Sequence, residues 1–392
     1  MIVLTGFGQE VSWLKTYDVA WDRPGGKALH SMPAGGGNIA LNVWTTADEL
    51  LLYLGSPDSW IDGKSPGEVQ NVKQGRLRVR IVPNPFEVGF RQEQDLATNS
   101  VVVSGAAVDG TEVSLRIWVD VFNPVVHIEG DAAKPVTATV QAEIWRGDAR
   151  FEGNSVTWYH RNEGPSAARE ASIARHGIQE IASLVPDPVG NLTFGGRLSG
   201  EGMIPDGPLS GEHEGMPFKG WRLKTAQASN GLNVQATLRI SQDPTLKDWE
   251  NALTELATRT RSTTGADWKR TSDWWREFWN RSHIVINPGK PSGDQAWQVG
   301  RNYQLFRAML ASNRSGKLPT LFNGGSFLCE KNPDQRQWSE AGFTAQNQRL
   351  IYWPLLKTGD TDVLKVALDF YARRLSLERG WAKLGTHSQR KQ

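Results

Sequence analysis

Side-chain periodicity changes once along this chain, near residue 245, and that change limits the fold to one built of strands first and helices second. Before it, Leu77, Val79 and Ile81 alternate with Arg76, Arg78 and Arg80, and Val113, Leu115, Ile117 and Val119 alternate with Glu112, Ser114, Arg116 and Asp120. Val136, Ala138, Val140, Ala142 and Ile144 repeat the pattern, as do Val234, Ala236, Leu238 and Ile240. Successive side chains of a strand point to opposite faces, so such runs predict half-buried antiparallel strands. Pro83, Pro85, Pro124, Gly89 and Gly110 fall between the runs, where a ladder hydrogen bond can be lost. About a dozen strands of this kind imply a large β-sandwich rather than a small barrel.

After residue 245 the apolar spacing is that of a helix. Trp249, Leu253 and Leu256 form one stripe, and Trp268, Trp275, Phe278 and Trp279 a second. Val299, Tyr303, Phe306 and Leu310 form a third, and Val363, Ala367 and Phe370 a fourth, with Asp360 or Thr361 placed to cap it. The Trp-rich stripe reads as a seam between sandwich and helices, since aromatics at helical spacing usually pack. The predicted division is a β-sandwich over residues 1–245, linker helices over 246–285 and the start of a helical array over 286–392.

A chain of 392 residues exceeds what one hydrophobic core usually serves, in keeping with more than one domain. Its 44 basic and 42 acidic residues give a formal charge of +2, which makes no electrostatic case for nucleic acid or a membrane surface. Seventeen Trp residues are a heavy load beside six Tyr; a flat indole can stack on a sugar ring, but most of these are expected in cores and interfaces. Cys329 is the only cysteine, which rules out a disulfide within the chain and fits burial as a small apolar residue. The seven His carry no metal-site spacing, and no cofactor is expected. The opening MIVLTGFGQEVSW lacks the basic and apolar segments of a signal peptide, and no apolar stretch is long enough to span a bilayer.

The run Gly35, Gly36, Gly37, Asn38 resembles a phosphate loop only superficially. No Lys-Ser/Thr pair follows it, and Ile39 to Trp44 reads as a strand, so a Walker motif is excluded.

Three patches, SMPAGGGNIALNVW at residues 31–44, DWWREFWNRSHIVI at 273–286 and LPTLFNGG followed by FTAQNQRLIYWP at 318–354, resemble the inverting α-L-fucosidase-like glycoside hydrolases with a six-hairpin (α/α) toroid. They resemble more closely a bacterial family that couples an N-terminal β-sandwich to the same kind of toroid. The resemblance implies a large antiparallel β-sandwich, linker helices and a partial (α/α) toroid, an oligosaccharide or polysaccharide as partner, and hydrolysis of a glycosidic bond with inversion. It also implies that the glycine run is a tight entry to a sandwich strand. Relatives of this kind are usually exported. The alternative is a non-catalytic carbohydrate-binding or fragmentary product.

Glycoside hydrolysis needs two carboxyl groups across the scissile bond. In the resembled fucosidases these lie beyond the Tyr-Trp-Pro helix, so the chain is expected to stop before them. Asp334 and Glu340 stand in the right loop, where a solvated carboxylate is the commoner outcome. The resemblance also supplies the substrate-binding candidates. Aligned on Tyr352 and Trp353, Asn347 matches the second asparagine of an Asn-x-Asn pair that positions the catalytic water, while Ala345 replaces the first and Gln346 stands beside it. Asn323 occupies the loop that lines the sugar subsite; for both amides, a turn-capping role is an equal reading. Arg349 is placed to hold a sugar hydroxyl or to tie down a carbonyl. Trp338 and Trp353 are the stacking candidates, with Trp353 expected in the core. His160, in the polar-aromatic run TWYHRNEG, is expected to stabilise a corner. An early stop in the toroid would leave Phe370 and Leu375 exposed on an open edge and favour self-association through residues 360–392.

Overall fold

The computed structural model describes residues 11–63, 67–330, 332–334 and 343–389. Strands extend to Ser241 and the helical part starts at Leu246, so the chain is β and then α. Two antiparallel sheets face each other. One has the strand order Val19–Trp21, Val88–Asp95, Ser100–Ala106, Glu112–Val119, Val125–Ile144, Ser229–Ser241, Thr193–Gly200, Ser155–Arg161 and Asp148–Glu152. The other runs Met32–Gly36, Ile39–Thr45, Leu50–Gly55, Gly75–Val82, Val125–Ile144, Met216–Thr225 and Met203–His213.

Val125–Ile144 belongs to both sheets. Its first part pairs with Ser229–Ser241 and its second with Gly75–Val82, and its ladder with Ser229–Ser241 shifts register between Asp131 and Val136. An irregularity of this kind bends a strand enough to carry it from one sheet to the next. The inward side chains of the two sheets, among them Leu41, Leu52, Leu77, Leu115, Val126 and Val234, form one buried core.

The outward face of the second sheet is covered at its Arg76 end, where the half-buried pattern fails, while Arg80 further along the same strand is exposed as that pattern predicts. Arg76 and Glu143 are a fully buried ion pair, with Arg78 donating to the same carboxylate at 2.7 Å. The hairpin joining Met203–His213 to Met216–Thr225 reaches back over this face, where the His213 imidazole meets the Tyr53 hydroxyl at 2.5 Å.

The glycine run is a strand hairpin. Gly37 and Asn38 form its two-residue loop with φ of 51° and 69°, the paired left-handed conformation of a type I′ turn. A Cβ on Gly37 would lie 2.2 Å from the Asn123 carbonyl oxygen, and one on Gly35 would lie 2.6 Å from the Ser312 hydroxyl.

The strand-rich part contains one helix that the alternating pattern does not announce, α1 (Ala167–His176). Ser166 caps its N-terminus by accepting from the Arg169 amide, and Gly177 ends it in the left-handed region at φ 62°. α2 (Leu246–Arg261) begins with a reciprocal cap between Thr245 and Asp248. α3 (Thr264–Trp279) buries Trp274, Trp275, Phe278 and Trp279, and the Trp279 indole donates to the Leu96 carbonyl at 2.8 Å, so this stripe forms the seam with the sandwich.

In α4 (Gln295–Ala311) the buried side is Trp297, Gly300, Gln304, Arg307 and Ala308, while Val299 is 59% exposed. Of the predicted stripe Val299, Tyr303, Phe306 and Leu310, Leu310 is buried and Phe306 packs against the helical core, so only Val299 falls off the packed face. The polar Gln304 and Arg307 occupy it because their partners lie in other segments: Gln304 donates to the Ile284 carbonyl at 2.8 Å, and Arg307 pairs with Asp360 at 3.0 Å. α5 (Ala345–Tyr352), α6 (Pro354–Thr358) and α7 (Thr361–Gln389) follow. Asp360 precedes α7 and its backbone carbonyl accepts from Val363 and Leu364, whereas its carboxylate belongs to Arg307. No helix among the described residues is long and apolar enough to cross a membrane.

Candidate functional site

Residues 317–329, between α4 and α5, lie across the covered face of the second sheet and are tied to the sandwich at several points. The Asp58 carboxylate accepts from the backbone of Lys317 at 2.9 Å and Leu318 at 2.7 Å, and from the Asn38 carboxamide at 2.8 Å. Burial pushes the Asp58 carboxyl above its usual range, with these donors pulling the other way. Asn42, which points outward because Leu41 and Val43 point inward, donates to the Phe327 carbonyl at 2.7 Å. Cys329 is buried, its thiol donating to the Ala28 carbonyl at 3.3 Å.

Asp334 follows this run and is not the solvated loop carboxylate expected from sequence. It is 5% exposed, accepts from the Lys73 amide at 2.8 Å and forms an ion pair with Arg146. Arg146 in turn donates to the Lys73 carbonyl at 2.8 Å. A carboxylate locked by a guanidinium and an amide is a structural clamp, poorly placed to exchange a proton with a substrate.

A cleft of about 690 Å³ opens where the sandwich, the first turn of α5 and the middle of α7 meet. Its sandwich wall includes Trp60 and Val189, its helical wall Phe370 and Leu375, and Phe343, Thr344 and Ala345 lie between. The rings of Trp60 and Phe343 are 5.7 Å apart, those of Phe343 and Phe370 4.9 Å, and those of Phe370 and Tyr371 5.2 Å, a continuous series of tilted and edge contacts. Phe370 is only 8% exposed, against the sequence expectation of an open edge, because Phe343 and the sandwich cover it. Leu375 is 48% exposed and Leu368 59%, so the expected exposure holds for these two residues of α7.

The run around His160 supports the sandwich wall. The Asn162 carboxamide donates to the carbonyls of Trp60 at 2.9 Å and Val189 at 3.1 Å and accepts from the His160 ring at 3.1 Å. Burial lowers the pKa of His160, which favours the neutral ring that this corner uses.

On α5 the packed face carries Gln348 and Tyr352. Gln348 donates to the Thr320 carbonyl at 2.8 Å, and the Tyr352 hydroxyl accepts from the Thr320 amide at 2.9 Å. Gln348, not Asn347, is thus the amide buried against the loop. Asn347 is half-buried and accepts from the Thr344 hydroxyl at 2.8 Å, a local cap. Asn323 likewise accepts from the Gly325 amide at 3.0 Å in its own turn. Gln346 and Arg349 are exposed.

Trp353 is 58% exposed, which corrects its expected place in the core. Pro354 opens α6 directly after it, and the Arg349 guanidinium lies 5.1 Å from its ring centroid. Ala345, Arg349 and Trp353 follow one another at four-residue steps, so they form one row leading from the cleft along the helix. Trp338 and Glu340 lie outside the described residues.

The fold is that of a two-sheet β-sandwich followed by packed helices, with a loop-and-helix site at their junction. The chain belongs to the family described as "Domain of unknown function (DUF5703)", whose model matches residues 20–151 and 147–284. No curated protein matches it. Among solved structures it is similar to one named as a kojibiose phosphorylase from human microbiome, with 11% identity and a TM-score of 0.48 over 79% of this chain and 44% of that one. It is also similar to a bacterial glucoamylase complexed with acarbose, with 9% identity and a TM-score of 0.38 over 91% of this chain and 53% of that one. The chain thus spans about half the length of these two structures.

Proposed function

We propose that this is a carbohydrate-active, glycoside-hydrolase-like protein that holds an oligosaccharide along α5, with Arg349 and Trp353 as its main contacts. The supporting observation is the solvent-facing row of Arg349 and Trp353 that leads out of the cleft. An exposed indole beside a guanidinium gives a pyranose an apolar face to stack on and a fixed fork of hydrogen-bond donors for its hydroxyls. Gln346 precedes Arg349 by three residues on the same side and adds an amide. Asn323 and Asn347, each holding a local turn or cap, are proposed as secondary contacts.

The sequence resemblance makes the associated reaction hydrolysis with inversion. That reaction needs an acid and a base, and Glu378 is the only carboxylate on the described wall of the cleft. Binding is therefore the activity expected of this chain, and turnover on aryl α-L-fucosides is expected to be absent. The test is a titration of the chain with neutral oligosaccharides, followed by tryptophan fluorescence and calorimetry. Trp353→Ala should weaken binding on the order of tenfold or more, as loss of a stacking platform does, and unchanged affinity would remove α5 from the site.

A second reading has its own observation. Leu350 is 67% and Leu356 62% exposed on either side of Trp353, and Leu368 and Leu375 are exposed on α7. These apolar side chains support self-association through the helical part. Sedimentation across a concentration series separates the two, because a glycan site needs no dimer.

A further inference from the structure

The cleft at the foot of this row is chemically unlike the row itself. The hydrogen-bonding side chains on its described wall are Trp60, Thr344, Tyr371, Arg374 and Glu378, and the first three donate within the protein. Thr344 donates to Asn347 at 2.8 Å, Tyr371 donates to the Phe343 carbonyl at 3.2 Å, and Arg374 and Glu378 face each other at 4.0 Å. A pyranose carries several hydroxyls, and each one buried without a partner keeps its full desolvation penalty. The cleft therefore disfavours a bare sugar ring. Its wall of Trp60, Phe343, Phe370 and Tyr371 instead offers edge and face contacts to another planar ring. Its volume of about 690 Å³ suits a small-molecule group rather than a protein segment.

We propose that this cleft is a subsite for the aryl group of an aromatic glycoside, whose sugar lies on Arg349 and Trp353. The proposal rests on the α5 reading for the position of the sugar. The helical rise of about 1.5 Å per residue sets Arg349 about 6 Å and Trp353 about 12 Å along the axis from Ala345 at the cleft wall, so a sugar on the Arg349 side of this pair lies next to the cleft. An aryl group directly linked to that sugar then falls between Ala345 and Leu375. The Arg374 guanidinium, whose Cζ is 5.6 Å from the centroid of Phe370, stands where a ring substituent with partial negative charge would meet it.

The experiment is calorimetry on the full chain with paired 4-nitrophenyl and methyl glycosides of the same sugar, using α-L-fucose, α-D-glucose and β-D-galactose. For at least one sugar the nitrophenyl compound should bind about tenfold or more tightly than its methyl counterpart. Leu375→Trp, from an exposed position on the helical wall, and Ala345→Phe, from between the two walls, fill the cleft from two sides, and either one should erase that ratio. Circular dichroism identifies a variant that fails to fold, and the other then decides. Equal affinities, or a ratio that survives a folded variant, overturn the aryl subsite while leaving the α5 reading in place. A ratio erased by filling the cleft but unaffected by Trp353→Ala supports the aryl subsite and removes the sugar from α5. Absence of binding by every glycoside overturns both.

Discussion

Asp58 accepts the backbone amide of Leu318 at 2.7 Å, across 260 positions of sequence, and so fixes where the α4–α5 segment meets the sandwich. Leu318 lines the cleft, and Thr320, two residues on, is the anchor for Gln348 and Tyr352 of α5. The position of the candidate site therefore depends on one carboxylate in a sandwich loop. Asp58→Ala removes an acceptor shared by three N–H donors and should cost about 2–4 kcal/mol in chemical denaturation. Asp58→Asn keeps one acceptor and should cost less. Equal losses for the two variants would show that the carboxylate geometry does not matter.

Gly37 and Gly153 separate backbone strain from crowding. Both have left-handed φ, 51° and 58°, but a Cβ at Gly37 would sit 2.2 Å from a backbone oxygen while one at Gly153 meets nothing within 4 Å. Gly153→Ala should cost about 1 kcal/mol, the strain alone. Gly37→Ala should cost well beyond that or prevent folding, because the Asn123 backbone cannot swing aside as a flexible side chain would. Similar melting temperatures for the two would contradict the close approach.

Arg307 and Asp360 are both buried and pair at 3.0 Å, with the guanidinium 4.6 Å from the centroid of Phe278. Arg307→Ala leaves Asp360 buried without its main counter-charge and should destabilise by about 3–5 kcal/mol. Replacing both by apolar residues of similar volume should recover much of this, since no desolvated charge then remains. A double variant as unstable as the single one would argue that the pair supplies net stability.

His127 provides a pH dependence. It is stacked 3.8 Å from Trp118 and fully buried, and burial pushes its imidazole down to about 3. The unfolded chain protonates near the ordinary value of 6.5 while the folded chain does not, so stability is present above pH 6.5 and is lost as pH falls towards 3. The slope from this residue approaches about 1.4 kcal/mol per pH unit below the unfolded value. Urea titrations at pH 7 and pH 5 should show the loss, and His127→Gln should reduce it. An unchanged difference in the variant would place the effect elsewhere, for which His213, also held down to about 3 by burial and the nearby Arg76 and Arg78, is the next candidate.

The elements were legible in the sequence where a local rule fixed them. Alternation set the inward side chains of Gly75–Val82 and Glu112–Val119, whereas the glycine run, read as a strand entry, holds a two-residue hairpin loop. α1 escaped because its ten residues, Ala167–His176, carry only a weak apolar stripe, although Ser166 and Gly177 mark both its ends. Among the site residues, Asn323 and Asn347 were found where their types suggested, in turns and caps, whereas the buried amide Gln348 was passed over in favour of its neighbour.

The sequence by itself determined the order of strands and helices, because the period of the apolar residues is set within each segment. Only the tertiary structure decided which aromatic and charged groups would be solvent-facing. Phe370 is buried because Phe343 comes to rest on it, and Trp353 is exposed because the packed face of α5 is already occupied by Gln348 and Tyr352. Asp334 is sequestered because Arg146, far away in sequence, reaches it. Burial depends on contacts between distant segments, and periodicity within one segment carries no record of them.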